Sequence, residues 1–433
     1  MTVPRIIPLP PHPASLLSLF PSALHDRLFL VGGTVRDLLL GRTPKDLDLV
    51  AALPAEQLIQ LGFRRVQPKS AVPIFFRFHE SLGKIEITTI DSPAELESDL
   101  RCRDVTVNAM ALSLGGDFID PLDGESALQR RELIPCSDAS LIADPLRIFR
   151  LFRFEAQGWR LSAAAAGLIR ERQWGEPLSR IPVERFSGEL LKALTGDEPA
   201  RFFRNMTEFG VGRAFLPEIF RMGEIPAGPV EHHPEGDLFT HSLQVLERLC
   251  AGSDDVITRF CALFHDLGKL ETSPALYPKH HGHDEAGFRV SRPFCSRLAL
   301  PTSMWGALRW INRLHTTANL WDELRTGTRI KLAEDAVRGG VAVMLPLVAA
   351  ADSPVGGEMC GWDDAVRIVQ LPTASLGIDP RLLAALPLDG VIPLSPAQRP
   401  ALIHQKRVEA FRAVMSEKNM KIVKNRFDTV TMI

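Results

Sequence analysis

The stretch RLFLVGGTVRDLLLGRTPKDLDL, residues 27–49, constrains the fold of this chain more than any other. An apolar run fit for a buried strand meets Gly32 and Gly33, which free the backbone for a tight turn into the helical pattern TVRDLLL. A second β-type run, KDLDLV, follows closely, so strand, turn, helix and strand form one short unit. Exposed N–H groups at a strand-to-helix turn favour an anion, and Arg36, one turn into the helix, can reach a phosphate while Asp37 pairs with it. Side chains two apart on a strand share a face, so Asp46 and Asp48 stand together while Leu47 and Leu49 turn away. Adjacent carboxylates repel, an arrangement that a divalent cation such as Mg²⁺ stabilises, and Glu86 in IEITTI is a candidate third carboxylate. Either device alone is commonplace, the first as a connecting turn and the second as a solvated one. Their pairing at this distance is not.

The remainder of the chain sets the frame. Its 433 residues suffice for roughly two to four domains, and 45% hydrophobic with 24% charged residues is an ordinary globular balance. A formal net charge of -2 gives no global attraction to nucleic acid, so a polyanion site must be a local patch of Lys and Arg. Cys102, Cys136, Cys250, Cys261, Cys295 and Cys360 lack short pairings, as reduced core thiols do. The opening MTVPRIIPLPPHP has no uninterrupted apolar core, and VAVMLPLVAAA is short and carries a proline, so no membrane partner and a cytoplasmic location are expected.

The pattern predicts an α+β protein: a mixed-sheet head with helices over 1–124, then a helical nucleotide-selecting and RNA-binding region over 125–225. The Pro-, Gly- and His-rich GEIPAGPVEHHPEGD reads as a linker near the start of an all-α region over 226–375. A helical tail over 376–433 closes the chain; from 401 it holds seven Lys or Arg against three acids, read as a solvated helix.

LVGGTVRDLLLG followed by DLDL resembles the first motif of the bacterial, class II tRNA nucleotidyltransferase/poly(A) polymerase family, nearly residue for residue. RCRDVTVNAMAL at 101–112 is similar to that family's RRDFTxNA motif, with Cys102 in place of a basic residue and Val105 in place of an aromatic one. The resemblance implies a polymerase-type head and assigns ribose and phosphate contacts to Arg103, Asp104 and Asn108. It also implies tRNA 3' ends as partner, CTP as substrate with ATP a further candidate, and Mg²⁺ on Asp46 and Asp48.

In ADPLRIFRLFRFEAQ, Asp144, Arg147, Arg150 and Arg153 follow at three-residue steps, so neighbours in the series share adjoining parts of a helical surface. Asp144 can accept the amino hydrogen of cytosine or adenine while Arg147 donates to the ring nitrogen; uracil and guanine present a ring N–H there instead. The competing reading is an Asp N-cap, Pro at the first helical position and a solvated basic face. Ala143 stands where the family's template motif has Glu, which removes a support for Arg147. Only DSPAELESDL separates IEITTI from RCRD, and by family analogy so short a connection implies addition of CC, with a separate enzyme adding A.

HHPEGDLFTHSL, FHDLGK and HHGHDE resemble the HD phosphohydrolase superfamily. The resemblance assigns His241, His265 and Asp266 to a metal, with Asp352 the candidate last ligand and His280, His281 or His283 as candidates for metal or phosphate contact. Imidazole with carboxylate suits a second divalent or transition metal. Thr316 follows His315 where a further Asp is half expected. A poly(A) polymerase, or an HD hydrolase with an RNA-binding head, are the rival readings. The sequence leaves the oligomeric state open.

Overall fold

In the computed structural model the apolar run becomes β1 (Leu28–Val31), all four residues of which are buried. The structure describes residues 13–66, 73–353, 358–386, 389 and 391–430, with the backbone alone at 13–14 and 418–430. The opening segment read above for a targeting signal lies almost wholly outside them, as do the side chains of the basic end beyond 417. Among the described residues no helix is long and apolar enough to cross a membrane.

The chain folds into two compact units, 1–181 and 182–433. The first holds a seven-stranded sheet built from β1, β2 (Asp46–Ala51), β3 (Arg64–Val66), β4 (Ile74–His79), β5 (Gly83–Thr89), β6 (Ala111–Ser113) and β7 (Phe118–Ile119). Their order is β3-β4-β5-β2-β1-β6-β7, and β2–β5 is the parallel pair. On one face Phe29, Val31, Val50 and Ala111 pack against Leu96 and Leu100 of the Leu96–Arg101 helix. Each of these side chains larger than alanine contributes about 1.5–3 kcal/mol when fully buried. Val50 shares its face of β2 with Asp48 and Asp46, so the same row passes from the core to the carboxylate pair as the strand emerges. The Gly33–Leu39 helix follows β1, and the Arg147–Ala156 helix completes the walls of the cleft described below.

Every regular element described in 182–433 is helical. Phe186, Phe202, Phe203, Phe264 and Phe294 run through its interior in successive ring contacts, with Phe264 and Phe294 4.9 Å apart. Asp237 and Asp255 cap the Leu238–Cys250 and Val256–Leu263 helices by accepting from Thr240 N and Thr258 N, at 2.8 and 2.7 Å. Caps of this kind contribute about 1 kcal/mol each.

Candidate active sites

Gly32 adopts φ 68°, a backbone state in which a side chain is strained, and a Cβ there would also meet Arg103 Nη1 at 3.1 Å and Asp48 Oδ2 at 3.9 Å. The turn thus brings bare backbone against the charged floor of a cleft of about 360 Å³. Gly32, Gly33, Arg36, Asp48, Arg103, Asp104, Asn108, Arg147, Arg150 and Arg153 line it, together with Phe154. Asp37, Asp46, Glu86 and Asp144 are not in its wall. Phe154 was not singled out from the sequence; its ring lies 4.3 Å from the Arg153 guanidinium and 5.4 Å from that of Arg36.

The parallel register sets Asp48 opposite Glu86 and Asp46 opposite Lys84, with Lys84 in an ion pair with Glu86. Burial, then the charges of Glu86 and Asp46, raise the Asp48 carboxyl above its ordinary value against the pull of Arg103. That excess of negative charge fits a divalent cation.

Behind the cleft the arginines are held in one chain of contacts. Arg36 Nε and Nη2 donate to Asp37 Oδ1 at 3.0 and 2.9 Å, and its Nη1 donates to Asn108 Oδ1 at 2.7 Å. Asn108 Nδ2 donates to Asp104 Oδ1 at 3.1 Å, and Arg150 Nη2 pairs with Asp104 Oδ2 at 3.1 Å. Burial alone would raise Asp104; Arg150, Asn108 and the Val105 N–H outweigh it and hold the carboxyl below its usual value. Arg103 is anchored by Asp99 at 2.8 Å. Arg147 Nη1 donates to the carbonyls of Ser140 and Arg103 at 3.0 and 3.2 Å, so backbone oxygens support the side chain where Ala143 offers none.

Asp144 lies between two helices. It closes the Ala139–Ala143 helix, and its Oδ1 accepts from Leu146 N at 3.3 Å in a turn that delays the next helix to Arg147. The residue before a proline resists the helical region, which separates the two elements.

In the second unit six side chains converge, His265 and Asp266 from one turn and the others from four helices. His241, His265 and Asp266 are joined by Asp352, whose Oδ1 lies 3.0 Å from His241 Nε2 and 3.4 Å from His265 Nε2. Asp266 Oδ2 is 3.2 Å from His265 Nε2 and 2.6 Å from Lys269 Nζ. Its other oxygen, buried and without a hydrogen-bond partner, faces His283 Nε2 at 3.3 Å and His315 Nε2 at 3.2 Å. The ring Nδ1 atoms of His265, His283 and His315 bond backbone carbonyls, which turns each Nε2 inward as a ligand requires. Burial opposes the charge on His265, but Asp266 and Asp352 push it up to about 10. Burial would raise Asp266 and Asp352, yet Lys269 and His265 for the one, and His265 with His241 for the other, hold both well below their usual values. Buried imidazoles against carboxylates, with an orphaned carboxylate oxygen, fit a cation.

Of the three candidates in HHGH, His283 joins this cluster. His280 instead lies 2.8 Å from the Pro226 carbonyl and 2.6 Å from Thr272 Oγ1, which ties down the loop before the domain, and His281 is exposed. Thr316 donates to Asp284 Oδ1 at 2.7 Å. The stretch read as a linker is part of the site: Glu235 accepts from His241 Nδ1 at 2.7 Å and Ala227 O from Lys269 at 2.6 Å. Glu235 escaped the sequence reading because its signal is the carboxylate–histidine contact, not a spacing.

The chain matches the poly A polymerase head domain over residues 28–134, the probable RNA- and SrmB-binding site of polymerase A over 172–222, and the HD domain over 238–336. A nucleotidyltransferase head followed by helical and HD regions is therefore the class to which fold and domains assign it. The chain belongs to the class II tRNA nucleotidyltransferase/poly(A) polymerase family, in the form that carries an HD domain. Its fold is similar to that of the Bacillus stearothermophilus CCA-adding enzyme in complex with CTP, at 22% identity and TM-score 0.63 over 96% of this chain and 100% of that one. It is also similar to the Thermotoga maritima CCA-adding enzyme complexed with tRNA, at 18% identity, TM-score 0.64, 96% and 100% coverage. A third likeness is to a CCA-adding enzyme in complex with ATP, at 19% identity, TM-score 0.65, 95% and 94% coverage.

Proposed function

We propose that this chain adds nucleotides to the 3' end of tRNA without a nucleic-acid template, taking cytidine from CTP and releasing pyrophosphate. The observation that carries the reading is the single cleft in which the glycine turn, Asp48 and the arginines of two helices meet. Gly32, Gly33 and Arg36 receive the triphosphate, Arg103 and Asn108 the sugar and phosphates, and Arg147 the base edge, with Asp144 turning from Leu146 N to accept its amino hydrogen. Asp46 and Asp48, with Glu86 beside them, would hold Mg²⁺. Bound there, it would supply the charge that activates the attacking hydroxyl and neutralises the leaving pyrophosphate. The residues that select the base sit in the first unit, 1–181, and the helical region to 225 takes the RNA by shape and phosphate contact.

Addition of CC is the subtype favoured here. The connection between β5 and Arg103 has little length to spare, since its Leu96 and Leu100 are 3% and 0% exposed and form part of the head core. The HD centre is assigned a divalent or transition metal held by His241, His265, Asp266 and Asp352, and hydrolysis of phosphate esters at RNA ends.

The deciding experiment incubates the purified protein with tRNA lacking its 3' end and single labelled nucleotides. Two C residues and no A are expected; C, C and A together indicate the full activity; a long A tract indicates poly(A) polymerase. No incorporation by a well-folded sample sinks the reading, whatever hydrolysis the HD centre performs.

A further inference from the structure

The carboxylate pair stands on a strand end that its neighbour leaves half supported. The β1–β2 pairing runs Leu28–Ala51, Phe29–Val50 and Leu30–Leu49 and stops there, because the chain turns away through Gly32 and Gly33. Asp48 and Asp46 lie past the last pair. Backbone groups in that position need other partners, and the spacing of two metal-binding carboxylates depends on the backbone between them.

Thr34 supplies those partners. Its side chain is buried, at 2% exposure, and its hydroxyl oxygen accepts from Asp48 N at 2.9 Å while the same O–H reaches Asp46 O at 3.3 Å. One side chain therefore spans the Asp46-Leu47-Asp48 backbone, replacing the strand that ended. It also sits one residue beyond Gly33, so the same contact fixes the phosphate-facing turn to the carboxylate strand.

We propose that Thr34 is a positioning residue for the head's cation site: its hydroxyl sets the spacing of Asp46 and Asp48, and through it the choice of cation. The inference rests on the nucleotidyl-transfer reading for its catalytic consequence, though not for its binding consequence. Serine has the same hydroxyl and preserves the clamp. Valine has the same shape without it and leaves Asp48 N unsatisfied. Mg²⁺ demands near-ideal octahedral geometry, so loosening the pair should weaken support by Mg²⁺ before it weakens support by a more tolerant cation such as Mn²⁺.

The test compares the full-length protein with Thr34→Ser and Thr34→Val. Mn²⁺ binding is followed by electron paramagnetic resonance, and the part abolished by Asp48→Asn defines the head site, separating it from the HD centre. Thr34→Val is expected to weaken that part about tenfold, and Thr34→Ser to match the parent. In the transfer assay Thr34→Val should lower kcat with Mg²⁺ about tenfold or more, leave KM for CTP unchanged and recover in part with Mn²⁺. Head-site Mn²⁺ affinity and its displacement by Mg²⁺ both equal to the parent in Thr34→Val, or an equal loss in Thr34→Ser, overturns the proposal. Should Thr34→Val lose the head's cooperative unfolding, Thr34→Ala takes its place in the same titration. If the parent transfers no nucleotide, the transfer reading fails while the Mn²⁺ comparison still decides on Thr34.

Discussion

At the scale of single residues, Asp104 joins the two arginines that approach the cleft from different helices. It is held by Val105 N, Asn108 and Arg150, and its carboxyl ionises below the ordinary value because those contacts outweigh burial. A depressed carboxyl contributes stability that is complete above the unfolded value of about 3.9 and is lost as pH falls through the lower folded value. Asp104→Asn should therefore destabilise the head by about 2 kcal/mol at neutral pH, with the deficit shrinking in acid. Denaturant unfolding of parent and variant at about pH 7 and about pH 3 checks it, and a deficit that grows in acid contradicts it. Residues of this kind divide by how they signal themselves. Asp48, Arg36 and Arg147, which meet in the cleft, could be singled out in advance from strand alternation, from the turn of helix after the glycines and from the three-residue steps of the arginines. Thr34, Glu235 and Phe154 could not, since Thr34 acts by bonding two backbone groups and Glu235 by fixing a ring whose own position comes from another element.

At the scale of elements, the HD centre depends on how closely three segments approach. A Cβ on Gly268 would lie 2.0 Å from His283 O and 2.4 Å from Gly287 N, and one on Gly287 would lie 2.1 Å from Asn312 Oδ1. These glycines let the turn after Asp266, the His283–Arg297 helix and the Thr302–Asn319 helix come together, which is what brings His283 and His315 to one oxygen of Asp266. Gly268→Ala must push that turn from the helix, at a cost of about 1–3 kcal/mol. It should also weaken metal binding at the HD centre, read by calorimetric titration, while Gly340→Ala, where a Cβ has open space but φ is 69°, should cost stability without touching the metal. Equal metal affinity in Gly268→Ala would contradict the packing account. Periodicity made the longer strands of the head and the helical character of the second half readable. It missed the character of the 223–237 stretch, because a linker and a polar strap look alike until their partners are known.

At the scale of the whole molecule, two sets of acidic and basic groups lie in two separately compact units, the carboxylates of β2 in 1–181 and the histidine cluster in 182–433. Each set lies within its own unit: the head cleft draws every wall residue from the first, and the clustered His and Asp side chains that could hold a cation all come from the second. Chemistry so divided should be separable by mutation. Asp46→Ala is expected to abolish nucleotide addition, by a factor of at least about a thousand, and to leave phosphatase or cyclic phosphodiesterase turnover unchanged. His265→Ala should do the reverse, since it removes a candidate ligand from the histidine cluster and leaves the carboxylates of β2 in place. Both substitutions are read on one preparation each, with tRNA and labelled CTP for the first activity and a model phosphate ester for the second. Binding of tRNA gives a control that neither should alter: with a net charge of -2 the attraction must come from local basic surface, so affinity should fall steeply with salt in parent and variants alike. Loss of both activities from either single substitution, with the salt dependence of binding intact, would mean that the two centres share a step, and that the division of the chain into two units is not a division of its chemistry.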